Sequence, residues 1–315
     1  MKKSVFTLLL TLFAAFATAQ ESQTEYNFLR LPVSAHAAAL GGDNITLIED
    51  DASLIFHNPA LLSSVGDKTL NLNYMNYMKG ASMGSAAFNK TFRDRATAAL
   101  SAQYINYGTM KEVDENNVQT GEFSAKDLAL AAYFSYMLSD RVSGGITAKC
   151  ITSYIGSYNS IAMGIDLGLN YYDPEREWSL SVVAKNLGGQ LKAYNDRFEK
   201  MPIDLQVGAS KRFLHTPFRF SASLVDLNHG GYKFLYHLVV STDILLGDNI
   251  WIGGGYHFRR ANEMKILGSD DSKSSHGAGL SCGAGINLDR FKLNLAYAKY
   301  HVSSNSFIVN LAYTL

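Results

Sequence analysis

The segment SFIVNLAYTL, residues 306–315, decides the fold class of this chain. One face of this segment carries the larger side chains Phe307, Val309, Leu311, Tyr313 and Leu315. The other face carries Ser306, Asn310, Ala312 and Thr314. Alternation with period two over about ten residues is the pattern of a strand that crosses a bilayer at a tilt. We therefore expect an outer-membrane barrel in which this last strand closes the sheet.

The other end of the chain has the pattern of an export signal. Lys2 and Lys3 precede an apolar run over residues 5–16, and small residues follow up to Ala19. This run is too short to span a bilayer as a helix, and no cysteine follows the cut to carry a lipid. We expect a signal peptide over residues 1–19, with cleavage between Ala19 and Gln20.

Composition favours a barrel over a helical membrane protein. Hydrophobic residues make up 47% of the chain and the mean hydropathy is -0.04, so we expect no transmembrane helix after the signal. The 18 Tyr and 17 Phe suit the aromatic girdles of a barrel. The 28 basic and 28 acidic residues give a formal net charge of zero, which offers no electrostatic reason to expect nucleic acid.

Alternation along the rest of the chain predicts an all-β transmembrane antiparallel barrel of about fourteen strands over residues 67–315. The predicted strands are 69–77, 81–90, 96–107, 127–137, 142–153, 161–171, 178–185, 204–212, 218–227, 234–245, 250–258, 277–288, 291–300 and 306–315. Their connections alternate between short polar turns and longer segments, the longest predicted loops being 108–126, 186–203 and 259–276. Barrels of this class have short periplasmic turns, so we expect both termini on the periplasmic side.

Charged residues on the predicted inward face form the first group of candidate site residues. Lys149, Asp166, Lys185, Arg219 and Lys292 each fall opposite the apolar face of their strand. A charge at this depth needs water or a polar partner. These residues could line a solute path, or they could pair with each other and with the N-terminal segment. We favour pairing.

Residues 20–66 do not alternate and form the second group. Ser34 can cap a short helix that Gly41-Gly42 ends, and Asn58-Pro59 marks another turn or helix start. We expect this segment to fold into the barrel as a plug. The motif residues are Ala39, Leu40, Gly41, Gly42, Asp50, Asp51, Asn58, Pro59 and Ala60. The two aspartates could bind a cation such as Ca²⁺, but capping of a helix is the favoured interpretation.

The sequence gives no reason to expect an enzyme, a metal site or a cofactor. Its eight histidines lack metal-ligand spacing, and no nucleophile can be placed beside a base. Cys150 and Cys282 are expected to be lipid-facing small residues on separate strands rather than a disulfide.

The N-terminal segment also carries a family resemblance. Residues 28–62 read FLRLPVSAHAAALGGDNITLIEDDASLIFHNPALL, and the A-x-x-A-L-G-G, D-D and N-P-A elements resemble the N-terminal region of FadL-like outer-membrane barrels. Within that superfamily the chain looks like the PorV/PorQ branch of the type IX secretion system of Bacteroidetes. GEFSAKD at 121–127, KNLGGQLK at 185–192 and Met201-Pro202 also match, and YNFLRLP at 26–32 is more similar to PorQ than to the longer PorV.

The resemblance implies a non-catalytic component of the attachment complex in the outer membrane. Its expected partners are outer-membrane lipid, a PorZ-like surface protein that it anchors, and PorU-like and PorV-like proteins. That complex would process and attach cargo carrying C-terminal signal domains. The alternative is a FadL-like channel for hydrophobic small molecules; an apolar lumen pocket would favour it and a filled lumen would count against it.

Overall fold

A computed structural model describes residues 24–247, 249–267, 273–274, 277–302 and 304–315. The predicted signal peptide and its cleavage site at Ala19 and Gln20 lie outside the described residues. Fourteen strands form one closed antiparallel barrel, which confirms the predicted architecture. Each strand pairs with its neighbours along the chain, and the last pairs with the first.

The barrel strands agree with the predicted ones in number and order. They are β1 (Thr69–Met78), β2 (Ala81–Phe92), β3 (Ala96–Val113), β4 (Gln119–Ser139), β5 (Val142–Ile155), β6 (Tyr158–Asp173), β7 (Trp178–Lys192), β8 (Asp204–Arg212), β9 (Phe218–Leu224), β10 (Leu238–Leu246), β11 (Ile250–His257), β14 (Leu280–Asn287), β15 (Phe291–His301) and β16 (Ser304–Thr314). A separate two-stranded ribbon pairs β12 (Ile266–Leu267) with β13 (Lys273–Ser274).

Helical structure is short. The α-helices are α1 (Ala35–Ala39), α2 (Phe234–His237) and α3 (Phe258–Glu263), and the 3₁₀ turns are Asn27–Arg30, Ala52–Phe56, Pro59–Ser64 and Arg93–Arg95. Among the described residues, no helix has the length and apolar character needed to cross a membrane. The short connections, the start of β1 and the end of β16 lie at one end of the barrel, which we call the turn end. We call the opposite end the loop end.

Asparagine side chains reinforce the closing seam from inside. In the register of β1 with β16, Asn73 stands opposite Asn310, and their side chains hydrogen-bond at 2.5 Å. The Asn294 amide donates to Asn310 Oδ1 at 3.0 Å, and the Trp251 indole N–H donates to Asn294 Oδ1 at 2.9 Å. A Cβ on Gly285 would lie 2.2 Å from that indole nitrogen, so the glycine provides its space. Polar side chains thus face inward on both sides of the seam.

The two faces of the wall differ as the alternation predicts. In β16, Phe307, Val309 and Leu311 are exposed, whereas Ser306 and Asn310 are buried inside the barrel. The same pattern repeats around the wall, and Cys150 and Cys282 are free and on the outer face. Exposed outward aromatic side chains near the turn end include Phe92, Tyr136, Trp178, Phe218 and Phe291. An apolar outer band with aromatic side chains at its rim is the surface that contacts lipid.

The long predicted loops need correction. β3 and β4 continue past the barrel rim and pair from Thr109–Ser124 to Val113–Gln119, so most of predicted loop 108–126 is a two-stranded ribbon. Likewise β7 extends to Lys192 into predicted loop 186–203. Neither extension shows a sustained alternation of apolar and polar side chains, and the search for alternation therefore missed them.

Two strand starts were also predicted too early. Residues 234–237 form α2 rather than the first part of β10, because adjacent Phe234 and Leu235 do not alternate and both stay exposed. β14 begins at Leu280 instead of residue 277, where Gly277 has a φ of 74° that a strand does not use.

Candidate functional site: the filled lumen

The inner segment, residues 24–68, runs through the barrel from the loop end to the turn end. At the loop end, the Glu25 amide donates to the Lys200 carbonyl at 3.0 Å and the Tyr26 hydroxyl contacts Ser160. At the turn end the segment continues into β1 at Thr69. Its apolar side chains are almost fully buried, with Phe28 and Leu40 each 1% exposed.

The A-L-G-G motif lies against the wall formed by β11 and β14. Gly41 and Gly42 both have a φ of 103°, a backbone conformation that favours glycine. The Ser281 hydroxyl accepts from the Gly41 amide at 2.9 Å and donates to the carbonyl of Ala39 at 2.8 Å. A Cβ on Gly255 would lie 2.4 Å from the Leu40 carbonyl carbon. The wall glycine therefore permits close backbone contact.

The N-P-A motif lies against β5, β6 and β7. Asn58 Oδ1 accepts from the Ala60 amide at 2.9 Å, so Asn58 caps the 3₁₀ turn that Pro59 begins. The Asn58 side chain also donates to Ser181 Oγ at 3.2 Å. A Cβ on Gly145 would lie 2.3 Å from the Pro59 carbonyl carbon. This motif, like the first, fills space that a wall glycine leaves.

The two adjacent aspartates act separately. Asp51 Oδ1 accepts from the Ser53 amide at 2.8 Å and caps the turn Ala52–Phe56, as the capping interpretation has it. Asp50 accepts from the Gly66 amide at 2.6 Å and forms an ion pair with Lys292. The two carboxylates therefore bind different protein groups, and Asp51 Oδ2 is buried without a hydrogen-bond partner from the residues that the structure describes.

Four charged side chains meet beside α1. His36 Nδ1 lies 2.8 Å from Glu49 Oε2, and its Nε2 lies 3.0 Å from Asp243 Oδ2. Arg219 pairs with Glu49 at 2.6 Å and also with Asp243. The His36 ring stacks on Trp251 with centroids 3.5 Å apart. We call His36, Glu49, Arg219 and Asp243 the latch cluster, because two come from the inner segment and two from the wall.

The latch cluster holds two positive and two negative charges. Burial by itself lowers the pKa of His36, but the Glu49 charge and the hydrogen bond to Asp243 leave that pKa raised. Burial favours a neutral Glu49, but His36 and Arg219 hold its pKa well below the usual range. Both ring nitrogens of His36 face a carboxylate and Arg219 pairs with both acids, so each acid in the latch cluster faces two basic groups.

Within the described part of the chain, His36, Glu49 and Asp243 are also the one trio whose ligand atoms lie close enough to hold a metal ion, all within 4.8 Å. However, Arg219 donates to both carboxylates, and both ring nitrogens of His36 face a carboxylate. The positive charge that a metal would supply is thus already present. The arrangement fits an ion-pair network better than a metal centre.

The other predicted inward charges fall into different groups. Lys149 Nζ lies 2.7 Å from Asp166 Oδ2 and donates to Asn186 Oδ1 at 2.8 Å. Asp166 also accepts from the Asn186 amide at 2.7 Å, where a bulge in β7 gives Asn186 a φ of 58°. Lys185 is 7% exposed and makes no ion pair or hydrogen bond among the described residues. The structure thus joins Lys149 to Asp166, and Arg219 and Lys292 to the inner segment.

A second ion cluster joins the inner segment to the loop end. Asp226 pairs with Arg30 at 2.7 Å and with Arg259 of α3. Burial raises the pKa of Asp226, but Arg30 and Arg259 outweigh that effect and lower it. The segment is therefore held by ion pairs near both ends of the lumen.

The remaining space is small and divided. A cavity of about 380 Å³ at the turn end is lined by Glu49, Arg212 and Lys292 among others. One of about 160 Å³ at the loop end is lined by charged groups such as Arg30 and Asp226. The apolar interior leaves only about 20 Å³, beside Leu29. A further cavity of about 440 Å³ lies at the loop end, where Thr24, Phe198 and Met201 are among its lining residues.

Sequence reasoning missed His36, Glu49 and Asp243. Asp243 carried a usable signal, since it is a lone acid within an apolar strand, as Asp166 is. His36 and Glu49 lie in a segment without periodicity, so their meeting with Asp243 depends on the path of the inner segment. His36 and Asp243 are 207 residues apart in the sequence, so no local pattern predicts their contact.

No family model and no curated protein matches the sequence. Solved structures do match the fold. A Pseudomonas aeruginosa FadL homologue aligns with a TM-score of 0.56 and 12% identity over 89% of this chain and 98% of its own. The Pseudomonas putida toluene transporter TodX aligns with a TM-score of 0.58 and 12% identity over 90% and 96%. The Ralstonia pickettii toluene transporter TbuX gives 0.56 and 14% over 90% and 96%.

At these identities the likeness concerns the fold. It extends over nearly the whole of each chain, and it includes the closed wall of fourteen antiparallel strands. Together with the apolar outer band, it shows that the protein is an outer-membrane β-barrel of FadL-like fold.

Proposed function

We propose that the protein passes small hydrophobic molecules across the outer membrane when its inner segment moves. The proposal is supported by the similar fold of two toluene transporters. A filled lumen counts against a permanently open channel, so the observation that carries the proposal is the close contact of wall glycines with the backbone of the segment. At two of the contacts the wall residue is a glycine, so that Gly145 and Gly255 meet the backbone of the inner segment directly. A wall of this kind leaves a wide passage if the segment is displaced.

The proposal requires movement, because the present arrangement is closed. The apolar interior leaves only a small cavity, and the cavities beside the two ion clusters are lined by charged groups that do not favour an apolar solute. The inner segment is then the gate. Transport is binding and passage without chemistry, in keeping with solved neighbours that are transporters and channels rather than enzymes.

A reversible lock tests this proposal. Asn58→Cys and Ser181→Cys, made after Cys150 and Cys282 are replaced by alanine, place two thiols where side chains now lie 3.2 Å apart. Proteoliposomes containing this variant should take up radiolabelled toluene faster than empty ones when reduced, and should lose that excess when oxidised. The Asn58→Cys single variant is the control. Equal uptake in the locked and reduced states would contradict the gate, and no excess uptake in any state would contradict transport.

A second candidate is the partner-binding role implied by the resemblance to PorQ, in which the barrel anchors a PorZ-like protein of the type IX secretion system. The observation that favours it is the ribbon of β3 and β4, which projects at the loop end with most side chains exposed. An isolated two-stranded ribbon is marginally stable in water, so a partner would stabilise it. A filled lumen is no obstacle to this function.

Crosslinking in native outer membranes tests the second candidate. The intact chain should recover PorZ-like or PorU-like proteins, and a variant lacking residues 110–122 should recover less while keeping its barrel. Failure to recover either protein, together with normal cargo secretion in a deletion strain, would contradict this role. The Asn58–Ser181 lock separates the two candidates, since it should stop transport and leave partner binding unchanged.

A further inference from the structure

The outer wall carries one concave apolar surface of about 710 Å³. We call it the wall groove. It descends obliquely from Phe234 of α2, across β9, β8 and β7, to Tyr171 near the turn end of β6. Its lining is almost wholly apolar, and it lies on the lipid-facing side of the barrel. It is separate from the lumen and from the inner segment.

Two alanines form the floor of the wall groove. Ala209 of β8 stands directly opposite Ala222 of β9, and both point outward. Larger side chains flank them, among them Leu180 opposite Ala209 and the exposed Phe234 above. Small side chains between large ones produce the depression.

The depression is not a general result of outward alanines. Ala132 of β4 and Ala148 of β5 also face outward in direct register, yet they do not line the groove. The wall groove differs from that pair in that Phe234 of α2 also lines it, beside β9 and β10. Ala132 and Ala148 therefore provide a natural control for the floor of the groove.

An apolar groove in a bilayer is filled by hydrocarbon. A void would forfeit dispersion contacts along the whole lining, and water would find no hydrogen-bonding partners there. A flexible unbranched chain can follow the oblique path across the strands. The groove is also continuous with the lipid-facing band, so the occupant that reaches it first is an acyl chain of a membrane lipid.

Cationic groups stand where the groove meets the turn end. Lys211 is the next outward residue of β8 after Ala209, and it faces Trp178 in the adjacent strand. Its ammonium group lies 5.3 Å from the Trp178 ring centroid and donates to the Arg176 carbonyl. The Arg176 side chain is exposed and makes no ion pair or hydrogen bond within the described ranges. Two N–H donors of Lys211 and the whole Arg176 guanidinium thus remain for an anion.

We propose that the wall groove binds one phospholipid, with an acyl chain over Ala209 and Ala222 and the phosphate on Lys211 and Arg176. The aromatic ring of Trp178 lies beside that phosphate at the level of the interface. The charges favour an anionic headgroup over a zwitterionic one.

Native mass spectrometry of the full-length protein tests the site. After mild delipidation and addition of dioleoyl phosphatidylglycerol, the unaltered protein should retain one lipid per chain. Ala209→Leu with Ala222→Leu should abolish retention by filling the floor, whereas Ala132→Leu with Ala148→Leu should keep it. Lys211→Gln should weaken retention about fivefold and reduce the preference for phosphatidylglycerol over phosphatidylcholine. Heat-modifiable migration on gels checks that every variant is folded.

Two results would overturn the proposal. One is equal retention by the two double-leucine variants, which would show that the groove is not the site. The other is equal retention of phosphatidylglycerol and uncharged dioleoylglycerol by the unaltered protein, which would show that the cationic groups do not bind a phosphate.

Discussion

Replacing Arg219 measures how much one buried charge of the latch cluster contributes to the free energy of unfolding. Arg219→Gln leaves Glu49 and Asp243 with only His36 as a cation, so we expect the free energy of unfolding to fall by about 3 kcal/mol or more. Lys292→Gln is the control, because its partner Asp50 is 43% exposed and such pairs contribute about 0–1 kcal/mol. Urea unfolding in lipid vesicles measures both. Equal losses in the two variants would contradict a special role for the latch cluster.

The buried side chain of His57 should make the free energy of unfolding depend on pH. Burial and the nearby Lys185 charge lower the pKa of His57 from 6.5 to about 3, against the opposing effect of Asp43. Between these values the unfolded chain binds a proton and the folded chain does not, so stability falls as the pH falls from 6.5 towards 3. The limiting slope is about 1.4 kcal/mol per pH unit.

Unfolding free energies at pH 7, 6, 5 and 4 measure this dependence. His57→Gln should flatten the slope, whereas His215→Gln, at an exposed histidine of the turn end, should keep it. An unchanged slope in His57→Gln would show that other groups cause the acid sensitivity.

The wall glycines are the elements that accommodate the inner segment. Gly255→Val places a Cβ within 2.4 Å of the Leu40 backbone, so we expect a loss of about 1–3 kcal/mol and a less firmly held segment. Gly189→Val is the matched control, since a Cβ there meets nothing within 4 Å. Limited proteolysis should cut the inner segment faster in Gly255→Val alone. The same cleavage rate in both variants would argue against close docking at β11.

For the strands, the sequence predicted those features that follow from alternation of apolar and polar side chains. β6 and β16 alternate over their membrane-spanning parts, because one face meets lipid and the other a polar interior. The β3–β4 ribbon and α2 were missed because neither shows a sustained alternation of apolar and polar side chains. The charges Arg219 and Asp166 could be assigned to the lumen from their strands, and Asp243 stands opposite Arg219 in the register of β9 with β10. The other partner of Arg219, Glu49, could not be predicted, because its position depends on how residues 34–51 fold inside the closed barrel, which no local pattern records.

At the scale of the whole molecule, the protein combines a closed wall of fourteen strands with an inner segment that fills its lumen. The wall is continuous through its seam, where Asn73 and Asn310 join the first strand to the last. The segment is attached covalently at Thr69 and otherwise by side-chain and backbone contacts, including the latch cluster and the Arg30–Asp226–Arg259 cluster. Such a segment can leave its place without breaking the sheet, which is what a gate requires.

Single-channel recording in a planar bilayer tests most directly whether the inner segment closes the barrel. We expect no steady ion current through the unaltered protein and brief openings after Arg219→Gln. When Asn58→Cys and Ser181→Cys are added to that variant, oxidation of the two thiols should abolish the openings. A steady open-pore current through the unaltered protein would contradict it.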